Sequence, residues 1–123
     1  MADGKALPQD VLVLEDNGII AIYVEETILE FGVKTVRAVG NVQHALAAIT
    51  ERMPDFAVLD VDLGNEKCFA VADKLAEAKV PFVFASGYGD KENYPPRFAA
   101  IDVLVKPYTP ETLRTALEAA IKK

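Results

Sequence analysis

The stretch Pro54-Asp55-Phe56-Ala57-Val58-Leu59-Asp60-Val61-Asp62-Leu63-Gly64 decides how the chain reads. An apolar run with β-branched and aromatic members, bounded by Pro54 and Gly64, has the composition of a buried strand. It ends on Asp60, where the chain leaves the core. In an open parallel sheet, ligands bind outside the carboxyl ends of the strands. Asp60 is therefore the candidate chemical centre, and the question becomes whether the rest of the chain supplies it with partners.

Working outward, Val11-Leu12-Val13-Leu14 is a short all-apolar run, the mark of a strand covered on both faces, and it stops at Glu15-Asp16-Asn17. Asn17 is suited to cap a helix that carries Ile20, Val24, Ile28 and Phe31 along one stripe and stops near Gly32. Residues 33–39 alternate apolar with Lys34, Thr35 and Arg37, as an edge strand does. Asn41 caps a second helix with Val42, Ala45, Leu46 and Ile49 on one side. After the central strand, residues 66–79 read as a third helix with Phe69, Ala72, Leu75 and Ala76 inward. Residues 80–85 form an apolar strand ending at Ser86-Gly87-Tyr88-Gly89.

Residues 90–100 contain Pro95-Pro96, which a regular helix cannot hold, so a loop with at most a turn or two of helix after Pro96 is expected. Residues 101–105 form the last strand, followed by Lys106-Pro107. Thr109 caps the last helix, Pro110 suits its first position, and Leu113, Ala116, Leu117, Ala120 and Ile121 follow at helical spacing. Strands alternating with helices imply an α/β domain with a parallel sheet and helices on both faces. Periodicity does not give the strand order.

The chain has 123 residues, enough for one domain without staples. Residues 1–9, with Gly4 and Pro8 and little apolar content, read as a flexible tail ahead of a domain over 10–123. A single cysteine, Cys68, excludes an internal disulfide framework and reads as small core filling. His44, the only histidine, falls off the apolar stripe of its helix and reads as a surface residue. The net charge of −6 argues against nucleic acid or an anionic membrane as direct partner. No signal peptide or membrane-length apolar run is apparent, so a cytoplasmic protein is expected.

The strand ends form one list: Glu15 and Asp16, Asp60, Ser86, Lys106. In a parallel sheet all emerge on one edge. Three converging carboxylates repel one another, which raises the pKa of at least one, and a divalent cation such as Mg²⁺ or Mn²⁺ removes that conflict. Lys106 adds a positive charge for a phosphoryl oxygen and Ser86 a hydroxyl donor. Each feature alone is ordinary capping or turn chemistry. Together they make a phosphoryl-transfer site.

On these residues the chain resembles the receiver domain of bacterial two-component response regulators. The resemblance is carried by Leu14-Glu15-Asp16-Asn17, by the run Pro54 to Asp60, by Ser86 and by Lys106-Pro107. It implies a flavodoxin-like (CheY-like) five-stranded sheet of order 2-1-3-4-5. It also implies that Asp60 accepts a phosphoryl group from a histidine kinase phosphohistidine. Asp16 and Asp60 would ligate Mg²⁺, with Glu15 acting through water and Asp62 through its backbone carbonyl. Ser86 and Lys106 would bind the phosphoryl oxygens. Asp62 and Tyr88 would flank the path of a hydrolytic water.

Phe82-Val83-Phe84-Ala85-Ser86-Gly87-Tyr88-Gly89 is similar to the signature of the single-domain "FAT GUY" receivers, with Ser86 in place of Thr. That subclass implies an HWE or related kinase as partner and a short or missing fourth helix. No residues remain for an output domain, so action through a bound partner or as a phosphoryl sink is expected. Two departures stand out. Gly64 replaces the usual Pro, and Val103 occupies the position of the switch aromatic, so Tyr88 is the candidate substitute ring. Phosphorylation is expected to order residues 90–100. The rival reading is a haloacid-dehalogenase-type phosphatase with Asp60 as nucleophile and Asp62 as general acid. It is disfavoured because the acidic pair precedes the D-x-D and none follows Lys106.

Overall fold

Side chains of successive strand residues alternate between two cores, and that alternation fixes the architecture. A computed structural model describes residues 7–64, 66–87 and 94–121. Its elements run β1 (Asp10–Leu14), α1 (Gly18–Glu30), β2 (Thr35–Val39), α2 (Val42–Glu51), β3 (Phe56–Asp60), α3 (Phe69–Glu77), β4 (Phe82–Ser86), a 3₁₀ turn (Pro96–Phe98), β5 (Val103–Val105) and α4 (Pro110–Ile121). All strands are parallel, in the order β2-β1-β3-β4-β5. Val11 and Val13, Phe56 and Val58, Val83 and Ala85 face one side, where α1 brings Val24 and Ile28 and α4 brings Leu113 and Leu117. Leu12 and Leu14, Ala57 and Leu59, Phe82 and Phe84 face the other, against Ala45 and Ile49 of α2 and Val71, Ala72 and Leu75 of α3. This is the CheY-like flavodoxin fold.

The local signals act as read. Asn17 Oδ1 accepts the Ile19 and Ile20 N–H groups, and Asn41 Oδ1 accepts that of His44. Gly32 ends α1 at φ +102°, a conformation that costs glycine little. The Thr109 hydroxyl accepts from Thr112 N–H at the start of α4. β2 is the half-buried edge, His44 is exposed and Cys68 is buried.

Two expectations need correcting. The third helix starts at Phe69, not at residue 66, because an antiparallel bridge between Asp62 and Lys67 holds the preceding residues as a loop. Within that helix Ala76 is exposed and Val71 takes the inward position. Leu7 packs against the α1/α4 core and Pro8 is buried.

Pro95-Pro96 permits only the short 3₁₀ turn, as expected. Residues 94–100, however, are not loose. Phe98 is buried and meets Phe69, Phe82 and Phe84, while Tyr94 stacks on Phe84 at 5.2 Å. Beyond this turn β5 is thinly covered, and Val103 and Val105 are exposed.

Asp10 ties the opposite edge together. Its carboxylate accepts from Arg37 Nε and Nη2 at 3.1 Å each and from Arg52 Nε at 2.7 Å. Arg37 also donates to the carbonyls of Ala48 and Arg52, at 2.8 Å each, at the end of α2. Asp10→Ala leaves the mostly buried Arg37 charge without its counter-ion. It is expected to lower unfolding stability by about 2 kcal/mol, less than a fully buried pair would cost. Urea unfolding measures this, and a loss below about 0.5 kcal/mol would place the pair among weak surface bridges.

Candidate phosphoacceptor site

The carboxyl ends of β1, β3, β4 and β5 lie side by side, and the residues just past them share one pocket. Asp60 closes β3 and is 3% exposed. Glu15 follows β1, its N–H donating to Val39 O at 2.9 Å, and is 2% exposed. Asp16 beside it is exposed. Carboxylate oxygens of Glu15, Asp16 and Asp60 all lie within 4.8 Å of one another. The Lys106 backbone N–H donates to Ser86 O at 2.8 Å, which brings the loop after β5 to the end of β4. Lys106 Nζ reaches Asp60 Oδ2 at 2.8 Å and Glu15 Oε1 at 3.1 Å. Ser86 is buried on the same edge.

Burial pushes the Asp60 carboxyl up to about 6, against the opposing hydrogen bond from Lys106; the charge of Glu15 adds to the rise. The sequence points to repulsion among carboxylates as the cause, whereas loss of hydration contributes most. Burial also works against the Lys106 ammonium, but the hydrogen bond and charge of Asp60 and those of Glu15 outweigh it and raise its pKa.

The pocket suits a divalent cation by its donor set. Three carboxylates face one ammonium. Glu15 Oε2 accepts from Asn17 N–H at 3.1 Å, yet the buried Oε1 has no hydrogen-bond partner, since its contact with Lys106 is an ion pair only. A hard cation with oxygen ligands would complete both the charge and the open acceptor.

Asp62 is turned away from this pocket. Its Oδ1 accepts from Gly64 N–H at 3.1 Å, its Oδ2 lies 3.9 Å from Lys67 Nζ, and its own N–H reaches Asp60 Oδ1 at 3.3 Å. Gly64 sits at φ +87°, which the usual proline could not adopt. Tyr88 lies outside the described residues.

Against known proteins, the family model described as the response regulator receiver domain matches residues 11–118. The chain belongs to the receiver domain family. This receiver is similar to SdrG from Sphingomonas melonis Fr1, whose solution structure superposes with a TM-score of 0.80 at 36% identity, over 94% of this chain and 98% of that one. It is also similar to the receiver domain of NtrX from Brucella abortus, with a TM-score of 0.81 and 29% identity over 93% and 99% of the two chains. The transcriptional regulatory protein PdtaR of Mycobacterium tuberculosis is 26% identical over 121 residues, and this chain spans 59% of its length. The receiver is thus a two-component response regulator module. Receiver domains take phosphoryl groups from histidine kinases and use a divalent metal in their acidic pocket. The phosphatase alternative is not favoured, and the outward-turned Asp62 is poorly placed for a general acid. Among the described residues no helix is long and apolar enough to cross a membrane.

Two residues near the pocket escape sequence reasoning. Glu66 Oε2 accepts from Val42 N–H at 3.2 Å and so ties the loop after β3 to the start of α2. Tyr108, next to Lys106-Pro107, is buried; that burial, with the charges of Glu15 and Asp60, raises the pKa of its phenol. Its place directly after a strand-end Lys-Pro was the available signal.

Proposed function

We propose that Asp60 is the phosphoacceptor, that it takes its phosphoryl group from a kinase phosphohistidine in a Mg²⁺-dependent step, and that the acyl phosphate switches binding of a partner protein. The observation carrying this is the convergence of Glu15, Asp16 and Asp60 on one edge of the sheet, with Lys106 Nζ 2.8 Å from the Asp60 carboxylate. An Asp60 oxygen attacks phosphorus in line. The O–P bond forms as the P–N bond breaks, and its electron pair returns to the imidazole nitrogen. Lys106 shares the charge growing on the transferring oxygens, and Ser86 offers them a hydroxyl donor. Asp16 and Asp60 would hold Mg²⁺ or Mn²⁺ directly, Glu15 through water and Asp62 through its carbonyl, and the cation would neutralise charge on the phosphoryl oxygens.

The finer reading rests on the resemblance. The receiver unit runs over 10–123, belongs to the single-domain FAT GUY type and is served in the cytoplasm by a kinase of the HWE or related type. Tyr88 tunes the switch and the lifetime of the acyl phosphate, and Asp62 affects that lifetime only weakly. Because Asp62 is already held by Gly64 and Lys67, Asp62→Asn is expected to change that lifetime less than about threefold, a small part of the general acid–base range. A larger change, read by decay of the phosphorylated mass, would place Asp62 on the hydrolytic water after all.

Incubation with acetyl phosphate and Mg²⁺, followed by intact mass, tests the reading. A single phosphoryl gain that needs Mg²⁺ is expected. Turnover of a small phosphate ester with no stable gain would overturn it.

A further inference from the structure

The chain just past Asp60 folds back on itself and is then fastened to a helix. Leu63 N–H donates to Glu66 O at 3.0 Å, and Asp62 pairs with Lys67 as an antiparallel bridge. Glu66 is half-buried and sends its carboxylate to the first residue of α2, where Oε2 accepts from Val42 N–H at 3.2 Å. That N–H belongs to the set a helix leaves unpaired at its start, at the positive end of the helix dipole. The first turn of α2 carries no acid, and the Asn41 side chain accepts from His44 N–H. Glu66 thus supplies, from the loop after β3, the anion that α2 lacks in its own first turn.

This tie bears on the phosphoacceptor through a second hydrogen bond. Asp62 N–H donates to Asp60 Oδ1 at 3.3 Å, while Lys106 Nζ holds Oδ2 at 2.8 Å. The two oxygens of one carboxylate are therefore oriented from two loops, one after β3 and one after β5. Asp62 keeps its N–H on Oδ1 only while the turn that carries it keeps its place. Packing at Gly64 does not hold that turn, since the residue sits at φ +87° and a Cβ there would meet nothing within 4 Å. The turn is held at its flanks, by the buried side chain of Leu63 in the α2/α3 core and by the Glu66–Val42 bond.

We propose that Glu66 is a positioning residue for Asp60: its bond to α2 holds the turn that aims the Asp62 N–H at Asp60 Oδ1, and so fixes the carboxylate for attack on phosphorus. Glu66 acts through the turn and not by contact with the phosphoryl group. A displacement of about 1 Å at a reacting group can cost up to about a hundredfold in rate, so a distant tie of this kind has a measurable effect. The proposal rests on the reading of Asp60 as the phosphoacceptor.

The test compares wild type with four variants. Glu66→Ala removes the tie, Glu66→Asp keeps the charge but shortens the reach, and Glu66→Gln keeps an oxygen for Val42 N–H. Ile28→Val trims the core on the opposite face of the sheet and lowers stability without touching the loop. Amide exchange is followed by NMR in EDTA, and phosphoryl uptake from acetyl phosphate at saturating Mg²⁺ is followed by intact mass. In Glu66→Ala, exchange at Val42, Asp62 and Leu63 is expected to speed up roughly tenfold. Uptake should slow roughly tenfold in Glu66→Ala and Glu66→Asp, and stay within about threefold of wild type in Glu66→Gln. Ile28→Val should take up phosphoryl groups as wild type does. Uptake by Glu66→Ala and Glu66→Asp within about twofold of wild type would overturn the positioning role, leave Glu66 as a cap on α2 and leave the phosphoacceptor reading intact. Unchanged exchange at Asp62 and Leu63 in Glu66→Ala would overturn the tie itself. Glu66→Gln as slow as Glu66→Ala would overturn the proposal as well, because the bond to Val42 would then not carry the effect, and equal slowing in Ile28→Val would assign the effect to lost stability. Wild type that takes up no phosphoryl group would overturn the phosphoacceptor reading, and the role of Glu66 with it.

Discussion

Asp60→Asn is expected to take up no phosphoryl group from acetyl phosphate and, in EDTA, to be more stable than wild type at pH 7. The first effect is total because the amide has no anionic oxygen to attack phosphorus. The second follows from burial. The Asp60 carboxyl rises from its ordinary 3.8 to about 6 on folding. Such a group contributes stability that is fully present below about pH 4 and is lost as pH rises through about 6. By pH 7 the loss amounts to about 3 kcal/mol, and removing the hydrogen bond to Lys106 offsets part of the gain on substitution. A net increase of about 1–2 kcal/mol is therefore expected. Wild type in EDTA should weaken between pH 4 and 6.5, and Asp60→Asn should lack that slope. Saturating Mg²⁺ should stabilise wild type and leave Asp60→Asn far less affected. Urea unfolding across pH, with and without Mg²⁺, reads all three. A variant less stable than wild type in EDTA would mean that the Lys106 pair outweighs the burial of charge.

Phe84→Ala is expected to cost about 3–5 kcal/mol, the range for large aromatic truncations in a core. Phe84 is fully buried on β4, two residues before Ser86. Its ring meets Phe69 at 5.8 Å, Phe82 at 5.6 Å and Phe98 at 5.4 Å edge-on, and stacks with Tyr94 at 5.2 Å. These rings come from α3, from β4 and from the residues on either side of the double proline, so one truncation loosens all three. Phe98→Ala removes the ring of the 3₁₀ turn alone and is expected to cost less, about 2–3 kcal/mol. Equal losses for the two would mean that the segment is held by Phe98 rather than gathered around Phe84. Amide exchange at residues 94–98 should rise sharply in Phe84→Ala. This packing bears on switching. Any rearrangement of Ser86 on phosphorylation occurs next to a dense aromatic cluster, in which small shifts are transmitted rather than absorbed.

The sheet and its functional edge were legible because the signals were local. Apolar runs ended on polar residues at 14/15, 59/60, 85/86 and 105/106, and Asn17, Asn41 and Thr109 marked helix starts that the hydrogen bonds bear out. The strand order was not local information, and it came from the resemblance alone. The start of α3 was misplaced because helical spacing from residue 66 onward says nothing of the Asp62–Lys67 bridge, a contact made in space. Pro95-Pro96 correctly barred a helix but could not reveal that Tyr94 and Phe98 would fill the gap with rings. The convergence of Glu15, Asp16, Asp60 and Lys106 was foreseen from the strand ends. The dominance of burial over repulsion at Asp60 was not, since side-chain exposure is a property of the finished fold.

The most direct measurement is a crystal structure of the protein grown with Mg²⁺ and beryllofluoride, which mimics the acyl phosphate. The expected map shows beryllium bonded to one Asp60 oxygen, the metal between Asp16 and Asp60, and Lys106 against a fluoride. Beryllofluoride bound elsewhere, or a metal that touches neither Asp16 nor Asp60, would contradict the central claim that these strand-end acids form one phosphoryl-accepting centre.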